Sequence, residues 1–319
     1  MQAILALLPL WVLFTLMAAV MQAVRTAGQK KLREKSSIAF STAVRSFFGL
    51  PFALAYLLWI FPEFFSLRFW GLLTWGFWLS VSLCASFQLI ATALLIHLFQ
   101  LRNFAVGSLY SKIEIILTAI VGMIFFGNFI ALSGWIAIVL ANVGLIVLTY
   151  AKTKNLSLSG LIKEPSALFG FLSATCFALT SLLSRYANQI LVAQTGNSGM
   201  EANILESAGI ILFLVLAIQC GLCLIWLIFM QKGAMIDVRR PLSAYMPLCL
   251  FIGATSALGS IGWFSAMALI NPAIVKVLGQ IEMVFIYAIA VFWFGERLTR
   301  LEWLGTAILS LSIMALLLL

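Results

Sequence analysis

The sequence predicts an all-α integral membrane protein: ten transmembrane helices in two inverted five-helix repeats around a central cavity. Three observations carry this reading. Of 319 residues, 64% are hydrophobic and only 9% are charged, whereas a soluble domain is near a quarter charged. The apolar residues, including 10 Trp and 26 Phe, fall in long runs separated by short polar breaks. The chain also matches itself at a fixed offset.

The runs are Ile4–Val24, Ile38–Ile60, Phe69–Leu98, Ala105–Phe126, Leu132–Tyr150, Ala167–Ile190, Ala202–Met230, Tyr245–Ile270, Pro272–Phe294 and Leu301–Leu319. Each approaches or exceeds the ~17–25 residues that a spanning helix needs. The third and seventh are long enough to tilt. The first reads as a span rather than a cleaved leader, since no basic residue precedes it. Alternating strand patterns are absent, which excludes a barrel reading. No break is long and polar enough for a soluble domain.

Shifting the chain by 168 residues lays SKIEIILTAIVGMIFFGNFIALSGW on GQIEMVFIYAIAVFWFGERLTRLEW without a gap. Identities include Ile113/Ile281, Glu114/Glu282, Gly127/Gly295 and Trp135/Trp303. A weaker match at offset 160 pairs Thr15/Thr175, Ala18/Ala178, Arg25/Arg185 and Gln29/Gln189. The organisation is therefore a first repeat over 1–151, a linker over 152–166 and a second repeat over 167–319. Five spans per repeat is odd, so the second repeat enters from the opposite side. Inverted repeats are the architecture of many carriers, with the substrate site between the halves near midplane.

Net charge is +9. In a soluble protein that would suggest nucleic acid; here the basic residues gather between spans and report topology. Fourteen Lys and Arg fall on one side, beginning with Arg25, Lys30, Lys31, Arg33 and Lys35; Arg68 and Arg185 are the two on the other. The basic side is cytoplasmic, so both termini face away from the cytoplasm, in a bacterial inner membrane. The five Cys lie inside apolar runs, and Cys220 and Cys223, one turn apart, read as packing residues rather than metal ligands. No cofactor or metal is implied. Neither H-E-x-x-H nor G-x-S-x-G is present, which argues against an enzyme. A Walker A sequence is also missing, which argues against direct ATP drive.

The segments FFGN…SGWIAIVLANVGLIVL and WFGERLTRLEWLGTAILSLSIMALLL resemble the EamA-type repeat of the drug/metabolite transporter superfamily. That resemblance implies spans one to four and six to nine around a central cavity, with five and ten peripheral. It implies a secondary transporter of a small organic metabolite, working by exchange or proton coupling. A lipid or lipid-linked-sugar flippase is the alternative. Asn128 stands where the second repeat has Glu296, and the basic loop lies between spans one and two rather than two and three. The family's sidedness is therefore not carried over. The implied partners are a small-molecule substrate and lipid, with a monomer preferred over a homodimer.

Glu114 and Glu282 lie about ten residues into their spans. A charge there costs ~2.5–3.5 kcal/mol on insertion scales. They read either as a proton or ion relay or as half of a static ion pair with Arg45 of span two. Lys112 falls where nucleotide-sugar carriers of the superfamily have a cavity lysine. On a regular helix it points about 200° away from Glu114. Lys276, Gln280 and Tyr287 likewise share the face opposite Glu282. If the lysine face lines the cavity, the substrate is anionic or rich in acceptors; if the glutamate face does, a cation is favoured. The lysine face is preferred here. Arg45 and Gln88 complete the candidate substrate contacts, with Ser256 matching Gln88 at offset 168. His97 reads as interfacial. Gly253, Ala257, Gly259, Ser260 and Gly262 form a small-residue surface on span eight, and Ala137 and Ala141 a small pair on span five.

Overall fold

The computed structural model describes residues 9–33, 36–101, 113–152, 165–196, 202–229, 234–285 and 298–318. All regular elements among them are helices: α1 Leu10–Arg33, α2 Ile38–Ile60, α3 Trp75–Leu101, α4 Glu114–Phe126, α5 Leu132–Lys152, α6 Pro165–Gly196, α7 Ile204–Phe229, α8 Ala234–Leu269, α9 Pro272–Gly279 and α10 Arg300–Leu318. A 3-10 turn (Pro62–Phe65) and one α-turn (Leu67–Trp70) join α2 to α3. By length and composition, seven described helices can cross a membrane: α2, α3, α5, α6, α7, α8 and α10. The apolar stretches of α1 and α4 are shorter.

Local chemistry sets the ends. Ser37 caps α2 by accepting the Phe40 N–H at 3.2 Å. Asn203 and Glu206 form a reciprocal box at the start of α7, with the Glu206 N–H donating to Asn203 Oδ1 and the Asn203 N–H to Glu206 Oε2, each at 2.9 Å. Thr299 and Glu302 repeat the device at α10. Gly127 ends α4 in the left-handed region at φ 62°, where a glycine has no side-chain penalty.

Several helices overrun their apolar segments. The first continues to Arg33, so Arg25 and Lys31 lie on α1 rather than in a connection. Lys and Arg are good helix formers, and nothing in that stretch breaks the helix. Likewise α6 runs to Gly196 and takes Arg185 into its interior. Helix α8 begins at Ala234 and is kinked at Tyr245 (φ −124°, ψ 22°). The ninth span is interrupted. Past Gly279 the Gln280 N–H donates to Val277 O at 3.1 Å and the Met283 N–H to Gln280 O at 2.9 Å. These three-residue spacings are 3-10 geometry.

The chain forms two compact units, one of residues 1–89 and 180–270, the other of 90–179 and 271–319. Each draws helices from both halves of the sequence. In the first unit α1 packs on α8, and α2 on α7 and α8. The small residues of α8 make this possible: a Cβ at Gly253 would meet Phe48 O of α2 at 2.5 Å, and one at Gly262 would meet Phe14 O of α1 at 2.5 Å. In the second unit α5 packs on α10, and α9 on α4, α5 and α10. Ala137 and Ala141 are buried in the apolar cluster of this unit with Leu309. Ser312 of α10 donates to Ala137 O at 2.7 Å. The small pair of span five therefore serves packing within the chain.

Candidate functional site

Two polar clusters are built into apolar helices, one in each unit. In the second unit, Lys276 of α9 forms an ion pair with Glu114 of α4, Nζ to Oε1 3.3 Å, the side chains 13% and 12% exposed. The pair rests on an apolar floor in which Ile115 and Ala119 of α4 meet Ala273 and Val277 of α9. Asn271 positions α9 from its other end. Its Oδ1 accepts the Ala273 N–H at 3.0 Å, and its Nδ2 donates to Asn128 O, just beyond α4, at 3.2 Å. So α9 starts beside the end of α4 and runs back along it, which brings Lys276 within reach of Glu114.

The ion-pair partner found for Glu114 is thus Lys276, where the sequence suggested Arg45. The expected separation of a lysine face from a glutamate face rested on regular 100° steps along one helix. Lys276 and Glu114 lie on two different helices, so packing of α9 against α4 lets them meet. Gln280, 2% exposed, and Glu282, 6% exposed, follow in the tightened segment. Gln280 Nε2 makes a long 3.4 Å contact to Lys276 O, while its buried Oε1 has no hydrogen-bond partner among the described residues. Lys112 and Tyr287 lie outside the described residues. His97 stacks edge-on against Phe169, ring centres 5.3 Å apart.

In the first unit, Arg45 of α2 is 6% exposed and donates from Nε to Ser256 Oγ of α8 at 3.2 Å. Beside it, Ser46 donates to Gln219 Oε1 at 3.0 Å, and Gln219 Nε2 donates to Gln88 Oε1 at 2.8 Å and to Ala85 O at 3.2 Å. Arg45, Gln88 and Ser256 were singled out from sequence; Gln219 and Ser46 were not. Gln219 ties α2, α3 and α7 together, and its signal was a lone amide in the interior of an otherwise apolar helix. Buried amides in such a chain strengthen one another and fix helix register. Arg185 serves a structural end: its Nη1 donates to the terminal carbonyls of α8, Met267 O at 2.8 Å among them.

Residues 9–150 match the EamA-like transporter family. The EamA-like segment covers α1 to α5 almost completely. The matched family is one of transporters, and the long apolar helices agree with an integral membrane protein. No curated protein matches the chain. A solved crystal structure has a similar fold, with TM-score 0.70 at 13% identity over 97% of this chain and 98% of that one.

Proposed function

We propose that the chain is a secondary transporter that moves a small organic metabolite by proton coupling, with Glu114 and Lys276 as the coupling pair. The observation that carries this is the buried Lys276–Glu114 ion pair at 3.3 Å joining α4 to α9. A carboxylate held by a lysine of another helix has two neutral arrangements. One is the neutral closed ion pair; in the other, reached by a proton passing from the ammonium to the carboxylate, the amine and the carboxyl are both uncharged and free to part. A switch of this kind can link a proton to a rearrangement of helices. Glu282, the counterpart of Glu114 at offset 168, would be the second coupling residue.

We read the two sequence repeats as inverted. Helices that correspond across them are neighbours: α2 with α7, α4 with α9 and α5 with α10. The remaining correspondence maps α1 on α8 to α6 on α3. Contact between α3 and α6 is seen where Ser173 donates to Ala91 O at 2.9 Å. The antiparallel course of α9 along α4 agrees with opposite entry of the halves. Both termini then lie outside the cytoplasm by the distribution of basic residues. A reporter active only in the cytoplasm, fused after Leu319, is expected to be silent; strong activity would reverse the orientation.

Gln280 and Lys112, which correspond across the repeat, are read as substrate contacts, as is Tyr287. The unmatched Gln280 Oε1 would receive a substrate donor. Gln280→Met keeps bulk but removes the amide. It is expected to leave the melting temperature near the parent's and weaken ligand affinity about tenfold. Lys112→Met should weaken affinity in the same direction. Unchanged affinity in both variants, for a metabolite that stabilises the purified protein, would remove them from the site. Exchange of water-soluble metabolites in liposomes supports the carrier; scrambling of labelled lipid alone would favour a flippase.

A further inference from the structure

The sequence after α8 takes away the helical donors of two of its last carbonyls. A continued helix would give Ala268 O the N–H of residue 272, but Pro272 has none. Ile270 O would receive the Ile274 N–H, which instead donates to Asn271 O at 3.1 Å. These oxygens stand at the negative end of a long helix, where a cation is favoured. Arg185 of α6 supplies one. Its Nη1 donates to Met267 O at 2.8 Å, to Ala268 O at 3.3 Å and also to Ile270 O. The buried Arg185 Nε has no hydrogen-bond partner among the described residues, so the oxygens gather on the one nitrogen. That nitrogen carries two hydrogens and meets three oxygens. Acceptors in excess of hydrogens, converging on one charged atom, are the surroundings of a cation rather than a set of separate hydrogen bonds.

Backbone carbonyls can replace the hydration shell of potassium, and the C-terminal ends of broken helices hold sodium in several carriers. We infer that the carbonyl oxygens of Met267, Ala268 and Ile270 form a site for a small monovalent cation, and that the Arg185 guanidinium fills it. A cation tethered to α6 excludes sodium and potassium from this place. On the transporter reading, on which this last step rests, exchange therefore needs neither ion.

The test uses full-length protein in neutral detergent. Melting is followed in the chlorides of potassium, sodium, guanidinium and N-methylglucamine at tens of millimolar and matched ionic strength. The parent, its site filled, is expected to melt alike in all four. Arg185→Ala should melt below the parent in N-methylglucamine, a cation too large to enter. Potassium or guanidinium should then raise its melting temperature by about 2 °C or more. Arg185→Lys should respond less than Arg185→Ala, because its ammonium still reaches part of the site. Arg185→Gln, which keeps a donor without charge, carries the test if the alanine variant does not fold. A loss of stability that no small cation restores in either uncharged variant, including failure to fold in every salt, overturns the inference. So does a parent that responds as strongly as the variants. In liposomes, exchange by the parent should be equal in potassium, sodium and N-methylglucamine, and potassium should speed that of Arg185→Ala several fold. Exchange by the parent that requires sodium or potassium would contradict the filled site and leave the carrier standing. Cation-restored melting in a protein that exchanges nothing would do the reverse.

Discussion

Replacing Glu114 by Gln is expected to lower stability by about 3–5 kcal/mol, the usual cost of stripping one partner from a buried ion pair. The carboxylate meets Lys276 Nζ at 3.3 Å with both side chains nearly covered. Removal takes the carboxylate from an ammonium that sits beside the apolar cluster of Ile115, Ala119 and Val277. Lys276→Gln alone should be comparably harmful, since it strands the carboxylate. The double variant Glu114→Gln/Lys276→Gln should recover most of the loss, because two amides can bond to each other and neither carries charge. Melting curves of the parent, the two single variants and the double variant check this. Additive losses in the double variant would mean that the pair contributes nothing as a pair.

A comparable loss is expected at a position without charge. Gly253→Val should destabilise the protein by about 3 kcal/mol or more. A Cβ there would meet the Phe48 carbonyl oxygen and carbon, both at 2.5 Å, and a backbone cannot swing aside as a side chain can. The contact fixes the separation of α2 and α8, and with it the Arg45–Ser256 hydrogen bond. Gly221 supplies the control. A Cβ there meets nothing within 4 Å, so Gly221→Ala in the interior of α7 is expected to be neutral or to stabilise by about 0.5–1 kcal/mol. Equal melting temperatures for Gly253→Val and the parent would contradict the observed packing of α8 on α2.

Much of the architecture was legible because hydrocarbon solvent demands long apolar helices and small residues where helices cross. The runs that became α2, α3, α5, α7 and α10 are read directly from hydropathy. The glycines of span eight and the alanines of span five announced close contacts. Helix ends were harder to place. Arg25 lies inside α1 because no proline follows the apolar stretch to stop the helix. The candidate site was legible in its members and not in its pairings. Glu114, Lys276, Arg45, Gln88 and Ser256 all stand out as polar residues in apolar runs. Which of them meet depends on the course of α9 along α4, and on 3-10 geometry after Gly279 that breaks the regular angular steps. Gln219 passed unnoticed because the surrounding run is so apolar; one amide there has to find partners, and it found Ser46 and Gln88.

The most direct test of the coupling role is proton-driven uptake by the charge-neutral double variant Glu114→Gln/Lys276→Gln in liposomes. A metabolite that stabilises the purified protein is supplied under an imposed pH gradient, with the membrane potential clamped and an entrapped dye reporting internal pH. The parent is expected to accumulate the metabolite and move protons with it. The double variant, folded and still able to equilibrate the metabolite, should show no accumulation and no accompanying pH change. Accumulation in the double variant equal to the parent's would show that the Glu114–Lys276 pair is a structural brace and that coupling resides elsewhere.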